Sequence, residues 1–293
     1  MKNLLNINDI STRDINIILY RAKKYVLFKA NKFLEDKIIG MLFFEPSTRT
    51  HYSFESAVLK LGGNTLNYND NTSSSKKGET LEDTIKTMSL YCDALIVRHP
   101  KDKFYLGLNK NINVPIVNAG DGSSEHPSQA LLDVFTIREY TKESDNFHIA
   151  FVGDLKNGRT IHSTLKLLDK LYNNITFHLI SVNNLQLDEL FLESIKNKYE
   201  IHNDIKKIIE KIDVLYLTRI QNEREPGKDF KPIVVTNKLI EKSKDSLIIL
   251  HPFPRNNELP KELDNNPKSK YFEQMQNGVF VRMAILDYIF LEN

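Results

Sequence analysis

Short apolar runs alternate with longer amphipathic stretches along the chain, and this alternation restricts the fold more than any other feature. A short apolar run is typical of a strand buried on both faces, whereas apolar residues spaced by three and four predict a helix. Strands that alternate with helices pair as parallel sheets with helices on their faces. The sequence therefore predicts an α/β fold.

The alternation begins a second time after a polar stretch at residues 142–146. A chain of 293 residues has room for two domains, because one domain commonly takes about 150 residues. We expect one domain at residues 1–142, completed by a C-terminal helix at 278–293, and a second domain at 143–277. Each is predicted to be a parallel sheet flanked by helices. Ligands bind beyond the carboxyl ends of such strands, so we expect the active site in the cleft between the domains.

The predicted elements follow from these patterns. In the first domain, strands are predicted at 38–44, 64–69, 94–97 and 114–117, and helices at 54–61, 81–90 and 127–140. In the second, strands are predicted at 147–152, 175–181, 214–218 and 247–250, and helices at 160–171, 185–198 and 204–212. A last helix is predicted at 279–291, in the stretch that completes the first domain. The polar segment 70–77 is predicted to be a mobile loop.

Composition and charge exclude several classes of protein. Lys and Arg total 40 and Asp and Glu total 38, so the net charge of +2 argues against coating nucleic acid or anionic membrane. No run approaches the ~18 apolar residues of a membrane span, and the N-terminus lacks a signal-peptide pattern. We expect a cytoplasmic protein with no nucleic-acid or membrane partner. The single cysteine, Cys92, lies in an apolar run and is expected to be a buried small residue.

The first predicted strand leads into Ser47-Thr48-Arg49-Thr50, which would form the first turn of a helix. The backbone N–H groups of such a turn have no partner within the helix, and the positive end of the helix dipole lies there. A guanidinium and several hydroxyl groups make the turn suitable for a phosphate. The alternative is an ordinary N-cap, in which Ser or Thr satisfies one backbone donor.

Further polar groups follow predicted strands or begin predicted helices. In the first domain these are Arg98, His126 and Gln129, and in the second they are Arg159, Arg219 and Arg255. Taken singly, Arg98, His126 and Gln129 are each better explained as a surface or capping residue. Together they predict a cationic pocket for a small polyanion that carries phosphate and carboxylate groups.

Other kinds of site are not indicated. Gly153 and Gly158 precede a predicted helix, but their spacing differs from the G-x-G-x-x-G of dinucleotide-binding turns. His99, His126 and His251 each precede a proline and lack the spacing of metal ligands. No Gly-x-Ser-x-Gly motif or Cys/His pair suggests a covalent intermediate. We therefore expect no cofactor and no metal.

Seven segments, in order along the chain, resemble motifs of the carbamoyltransferase family. Residues 44–50 (FEPSTRT) resemble the carbamoyl-phosphate motif of the whole family. The aspartate branch is indicated by residues 73–79, 98–100, 126–129, 153–163, 218–221 and 251–255. The ornithine branch typically has His-Cys-Leu-Pro in the last segment, and its cationic substrate would not favour Arg159 and Arg219.

The resemblance implies transfer of the carbamoyl group of carbamoyl phosphate to the amino group of L-aspartate. The products would be N-carbamoyl-L-aspartate and phosphate, as in de novo pyrimidine biosynthesis. The first domain would bind carbamoyl phosphate and the second aspartate. Two alternatives stay open: transfer to another amino acid, and an inactive relative that only scaffolds a complex.

The resemblance also implies roles for the residues that bind carbamoyl phosphate. Its phosphate would be held by Ser47, Thr48, Arg49 and Thr50, and its carbonyl oxygen by Thr50, Arg98 and His126. The carbamoyl nitrogen would be bound by Gln129 and by the backbone of Phe253 and Pro254. The catalytic group would consist of Arg49, Thr50, Lys77, Arg98 and His126.

For aspartate, Arg159 would bind the α-carboxylate, and Arg219 and Gln221 would bind the β-carboxylate. Lys77 and the Phe253 backbone would also contact this substrate. Ser73 and Lys77 would reach the site from a neighbouring chain, which implies a homotrimer with shared active sites. Family members differ in whether they bind regulatory chains or dihydroorotase, so the resemblance leaves these partners open.

Two residues depart from the family pattern. Phe253 stands where Leu is usual, which is tolerable if only its backbone takes part. Asn157 stands where an aromatic residue is frequent, and little is expected of it.

Overall fold

The computed structural model describes residues 2–69, 78–108, 112–142, 144–182, 184–221 and 230–290. The chain divides into two compact units, of which the first consists of Met1–Leu132 and Gln276–Asn293 and the second of Asp133–Met275. Each unit has its own sheet, and all neighbouring strands in both sheets run parallel. The predicted α/β class is confirmed.

The sheet of the first unit has four strands in the order β2-β1-β3-β4. Each overlaps a predicted strand: β1 Ile38–Phe43, β2 Asn64–Tyr68, β3 Ala94–His99 and β4 Ile116–Asp121. Its helices include α1 Thr12–Leu27, which no prediction covered, α2 Thr48–Lys60 and α3 Leu81–Ser89. A boundary between the units falls inside each of two further helices, α4 Pro127–Thr141 and α8 Tyr271–Phe290.

Tight packing in the first unit favours small residues at two positions of its core. At Gly40 in β1, a Cβ atom would lie only 2.7 Å from Leu95 Cδ2, so a side chain there would displace the core. Cys92 packs in the same core with 7% of its surface exposed, and burial raises the pKa of its thiol to about 11. The prediction that Cys92 is a buried small residue is confirmed.

Helix α8 completes the first unit from the far end of the chain. The Arg282 guanidinium lies 5.1 Å from the centre of the Phe54 ring in α2. The Asp287 carboxylate accepts a hydrogen bond of 3.0 Å from the Tyr25 hydroxyl and pairs with Arg21 of α1. Among the residues that the structure describes, no helix combines the length and apolar content needed to span a bilayer.

The sheet of the second unit has five strands in the order β7-β6-β5-β8-β9. They are β5 His148–Val152, β6 Thr176–Ile180, β7 Lys198–His202, β8 Val214–Leu217 and β9 Ile248–Leu250. The unit also contains α5 Arg159–Leu171, α6 Glu189–Glu193 and α7 Asn237–Ile240. Four of these strands and helix α5 were predicted.

The predicted helices at 185–198 and 204–212 are wrong. The first segment contains only the five residues of α6 before edge strand β7 begins at Lys198. The second contains a short 3₁₀ helix, Ile205–Lys207, whose start Asp204 caps. Ile208, Ile209 and Ile212 are buried in the core, although they lie outside any helix. Their helix-like spacing comes from an irregular segment that packs one side against the core.

A glycine at the end of β5 allows the β5 and β8 segments to approach closely. Gly153 has φ of +128°, and a Cβ atom there would lie 2.2 Å from the Thr218 carbonyl oxygen. The Thr218 N–H donates to the Val152 carbonyl at 2.8 Å, so backbone pairing fixes this approach. Any side chain at residue 153 must therefore push the two strand ends apart.

We expect Gly153→Ala to lower the free energy of unfolding by about 2–3 kcal/mol, because it combines backbone strain with a steric clash. Urea unfolding of the purified chain measures the change. Gly107→Ala is the matched control, since a Cβ atom at Gly107 meets no atom within 4 Å. Equal stability of the two variants would contradict the close-approach argument.

Candidate active site

The first turn of α2 offers a site for an anion in the first unit. Its N-cap residue, Ser47, makes no side-chain capping hydrogen bond, and the turn contains no acidic residue. Thr48 and Arg49 are exposed in this turn. The ordinary N-cap alternative is therefore not what the structure contains, and the positive end of the helix is accessible to a phosphate.

Thr50 and His126 are brought together from different segments of the first unit. Both are buried, and the Thr50 hydroxyl lies 3.2 Å from His126 Nε2. His126 immediately precedes α4, and its Nδ1 lies 3.4 Å from the Ser128 hydroxyl. Gln129 is also buried, and its N–H donates to the His126 carbonyl at 3.0 Å. The structure thus places three of the predicted site residues at two adjoining helix starts.

Arg98 lies at the carboxyl end of β3 beside the end of β1. In the parallel register Phe43 is opposite Arg98, and the Phe44 N–H donates to the Arg98 carbonyl at 2.9 Å. The guanidinium contacts the Glu45 carboxylate at 2.7 Å, and only 12% of the Arg98 side chain is exposed. Arg98 is therefore an oriented, largely buried cation rather than a surface arginine.

Buried acidic residues support the segment before His126, and sequence reasoning missed them. Asp121 accepts hydrogen bonds from the Asn118 amide and the Glu125 N–H, at 3.1 and 2.9 Å. Glu125 in turn accepts from the Ile7 N–H at 3.0 Å. Burial raises the pKa of Asp121. In the sequence these residues resemble an ordinary polar turn, so only their burial identifies the support.

A buried aspartate organises the corresponding loop of the second unit. Asp154 accepts hydrogen bonds from the Asn157 backbone N–H at 2.9 Å and from the Gln221 N–H at 3.2 Å. The Asn157 amide also donates to both Asp154 oxygens at 3.2 Å. Asp154 therefore joins the segment after β5 to the segment after β8. Asn157, of which little was expected, takes part in this junction.

The predicted aspartate-binding residues flank this junction. Arg159 begins α5, whose first turn contains no acidic residue, and Arg219 follows β8. The Gln221 amide donates to the Asn157 carbonyl at 2.9 Å. Because β5 and β8 are neighbouring strands, the two arginines and Gln221 follow adjacent strand ends.

The segment after β9 packs two of its side chains, His251 and Phe253, against the second unit. His251 is buried, its Nδ1 accepts from the Phe253 N–H at 2.8 Å, and its Nε2 lies 3.1 Å from Glu258. The Phe253 ring packs 5.6 Å from the Tyr271 ring and against the core. Pro254 is exposed. The aromatic side chain at residue 253 is thus partly buried against the core of the second unit.

Arg255 is paired with an acidic residue of its own unit. Both of its terminal nitrogens pair with the Asp264 carboxylate. The hydrogen bond from Arg255 lowers the pKa of Asp264 to about 2, and the Tyr271 hydroxyl donates to the same carboxylate. Arg255 therefore has a structural partner, whereas sequence reasoning grouped it with the ligand-binding arginines. Ser73 and Lys77 lie outside the described residues.

Comparisons with known proteins agree with this division of the site. A family model described as "Aspartate/ornithine carbamoyltransferase, carbamoyl-P binding domain" matches residues 2–139. The model of the "Asp/Orn binding domain" of the same family matches residues 145–289. The two matches leave only a few residues of the chain outside.

Similar proteins and structures extend over nearly the whole chain. The aspartate carbamoyltransferase catalytic subunit of Wigglesworthia glossinidia brevipalpis is 42% identical, covering 98% of this chain and 96% of that protein. The catalytic subunit of Vibrio vulnificus strain YJ016 is 38% identical, covering 100% of this chain and 97% of that protein.

One similar solved structure is aspartate transcarbamoylase from Trypanosoma cruzi in complex with carbamoyl aspartate and phosphate. It is 36% identical, has a TM-score of 0.91, and the match covers 99% of this chain and 96% of that chain. The catalytic subunit of M. jannaschii aspartate transcarbamoylase is 38% identical, with a TM-score of 0.89 and coverage of 99% and 98%. With both domain models matched and full-length relatives at this level of identity, the chain belongs to the aspartate/ornithine carbamoyltransferase family.

Proposed function

We propose that this protein transfers the carbamoyl group of carbamoyl phosphate to the amino group of L-aspartate, in the cytoplasm and as a step of pyrimidine biosynthesis. The observation that carries the proposal is that each unit has its own anion-binding groups: the first has an accessible helix start, and the second has arginines after neighbouring strands. A Trypanosoma cruzi relative was crystallised with both carbamoyl phosphate and aspartate, which supports the same substrates here.

In the first unit, Ser47, Thr48, Arg49 and Thr50 bind the phosphate of carbamoyl phosphate. The Thr50 hydroxyl, Arg98 and His126 bind the carbonyl oxygen, and Gln129 binds the carbamoyl nitrogen. The contact between Thr50 and His126 and the burial of both support this assignment, because fixed donors in a dry site stabilise charge without reorganising. Glu45 orients the Arg98 guanidinium.

The reaction then proceeds by direct attack. The neutral amine of aspartate forms a bond to the carbonyl carbon, and negative charge develops on the carbonyl oxygen beside Arg98, His126 and Thr50. The bond from that carbon to the phosphate oxygen breaks, and Arg49 with Lys77 stabilises the departing phosphate. The phosphate accepts the proton that the amine loses. Holding two anionic substrates in the reactive orientation contributes much of the rate.

In the second unit, Arg159 binds the α-carboxylate of aspartate, and Arg219 with Gln221 binds the β-carboxylate. The Gln221 amide must exchange its hydrogen bond with the Asn157 carbonyl for one with the substrate. The backbone of Phe253 and Pro254 contacts the aspartate amine and the carbamoyl nitrogen. Two arginines favour a dicarboxylate over ornithine, whose side chain is cationic.

We also propose that the working unit is a homotrimer in which Ser73 and Lys77 of one chain complete the site of its neighbour. An exposed face of α2 supports an assembly of this kind. Tyr52 and Leu59 are 61% and 59% exposed and line an open groove with Glu55, Ser56 and Lys60. Exposed apolar groups of this size favour contact with another protein surface.

The proposed reaction is tested by incubating the purified chain with carbamoyl phosphate and, in parallel, L-aspartate or L-ornithine. We expect carbamoyl aspartate and no citrulline, because the arginines repel the ornithine cation. Turnover with another amino acid would support the first alternative. A folded chain that turns over neither substrate would support an inactive scaffold instead.

We expect Arg49→Ala to lower kcat by roughly a hundredfold or more, the usual effect of losing a donor to transition-state charge. Steady-state kinetics with both substrates measures the loss. Arg13→Ala is a matched control, since it removes an exposed arginine from the first turn of a different helix, α1. Comparable kcat values for the two variants would remove Arg49 from the site.

Shared sites predict complementation between two inactive variants. When Lys77→Ala chains are mixed with Arg49→Ala chains, some composite sites contain neither change, and part of the activity should return. Native mass spectrometry verifies that subunits have exchanged. Exchange without recovered activity would contradict a site formed by two chains.

A further inference from the structure

Three histidines and a glutamate share one face of the second sheet, outside the groups assigned to the transfer reaction. In the parallel register, His178 on β6 is opposite Glu200 on β7, and Ile180 is opposite His202. His148 on β5 is opposite Thr176, two residues before His178. Residues in register, and alternate residues of one strand, point to the same face. The four side chains therefore converge on one side of the sheet.

Three of their polar atoms have the spacing of ligands around one metal ion. His178 Nδ1 lies 3.0 Å from His202 Nε2, and Glu200 Oε2 lies 3.6 and 3.5 Å from these two atoms. Ligands of tetrahedral Zn²⁺ lie about 2.0–2.2 Å from the ion, and therefore about 3.3–3.6 Å from one another. The three atoms already occupy positions close to three corners of such a tetrahedron.

The surroundings of the cluster suit a metal ligand set. Only 1% of the His178 side chain is exposed, so this imidazole is shielded from water. The Lys198 ammonium contacts Glu200 Oε1 at 2.6 Å, and Glu200 Oε2 lies beside the histidines.

His148 supplies the outer hydrogen bond that metal-binding histidines commonly make. Its Nδ1 lies 3.0 Å from His178 Nε2. With His178 Nδ1 on the ion, the proton of His178 is on Nε2 and is donated to His148. Such outer partners fix the tautomer and the ring orientation of the ligand.

We propose that His178, Glu200 and His202 bind a divalent transition-metal cation, and that Zn²⁺ best matches two imidazoles and one carboxylate. A water molecule takes the fourth position on the side where Glu200 and His202 are partly exposed, with 37% and 18% of their side chains accessible. Because β7 is an edge strand, the ion joins it to β6. This role goes beyond the proposed function, to which none of these residues contributes.

The competing interpretation is a row of hydrogen-bonded imidazoles that holds β7 without an ion. His148, His178 and His202 make two successive contacts of 3.0 Å, which is compatible with protons between the nitrogens. Both interpretations predict that the cluster stabilises the sheet. Only the metal site predicts saturable binding that depends on Glu200 as well as on the histidines.

The test uses the full-length chain without an affinity tag, in a buffer that does not bind metals. Isothermal titration with Zn²⁺ should give a single site per chain. Titration with Co²⁺ should give the intense visible absorption of a tetrahedral complex. The melting temperature should rise with Zn²⁺ and not with Mg²⁺, because the ion binds only the folded state.

His202→Ala and Glu200→Gln should each weaken Zn²⁺ binding by roughly a hundredfold or more, and His148→Gln by about tenfold to a hundredfold. His51→Gln is the matched control, since His51 contacts Asn67 in the first unit. Melting without metal verifies that each variant folds. No saturable Zn²⁺ binding by the unmodified chain, a weak octahedral Co²⁺ spectrum, or unchanged binding in both ligand variants would overturn the proposal.

Discussion

Parallel pairing of strands is the constraint on which the rest of this molecule depends. It places the carboxyl ends of neighbouring strands at one edge, and nearly every group assigned to the reaction follows a strand or begins the next helix. Arg98 is fixed beside β1 because Phe43 is opposite it in the register. Thr218 is held against Val152 by a backbone hydrogen bond, which brings Arg219 beside the loop that leads to Arg159. The backbone ladder therefore positions side chains that are far apart in sequence.

The groups proposed to bind anions must stay ordered when no anion is present, and neighbouring carboxylates contribute to this order. Glu45 pairs with Arg98 in the first unit. Asp154 accepts backbone hydrogen bonds from Asn157 and Gln221 in the second, so it joins the segment after β5 to the segment after β8. These acids orient the donors before substrate binds. Preorganised donors need not rearrange as charge develops in the reaction.

Much of the fold could be predicted because local signals were strong, and so could the candidate site residues that follow strands or begin helices. Pro127 marked the start of α4, and the period of α5 was clear. Strand β7 could not be predicted, since its residues are mostly exposed and its pairing with β6 alone determines its conformation. The convergence of His178, Glu200 and His202 therefore could not be predicted either, because residues 200 and 202 share a face only in a strand. The supporting roles of Asp121 and Asp154 were also hidden, since burial is a property of the fold.

Helix α8 lies at the far end of the chain yet packs on α1 and α2, through Arg282 on Phe54 and Asp287 on Tyr25. The first unit is thus discontinuous in sequence, whereas the second is a single stretch. During synthesis on the ribosome, all residues of the second unit emerge before the part of α8 that packs on α1 and α2. Part of the core of the first unit therefore stays uncovered until α8 emerges. The second unit can finish folding before the first.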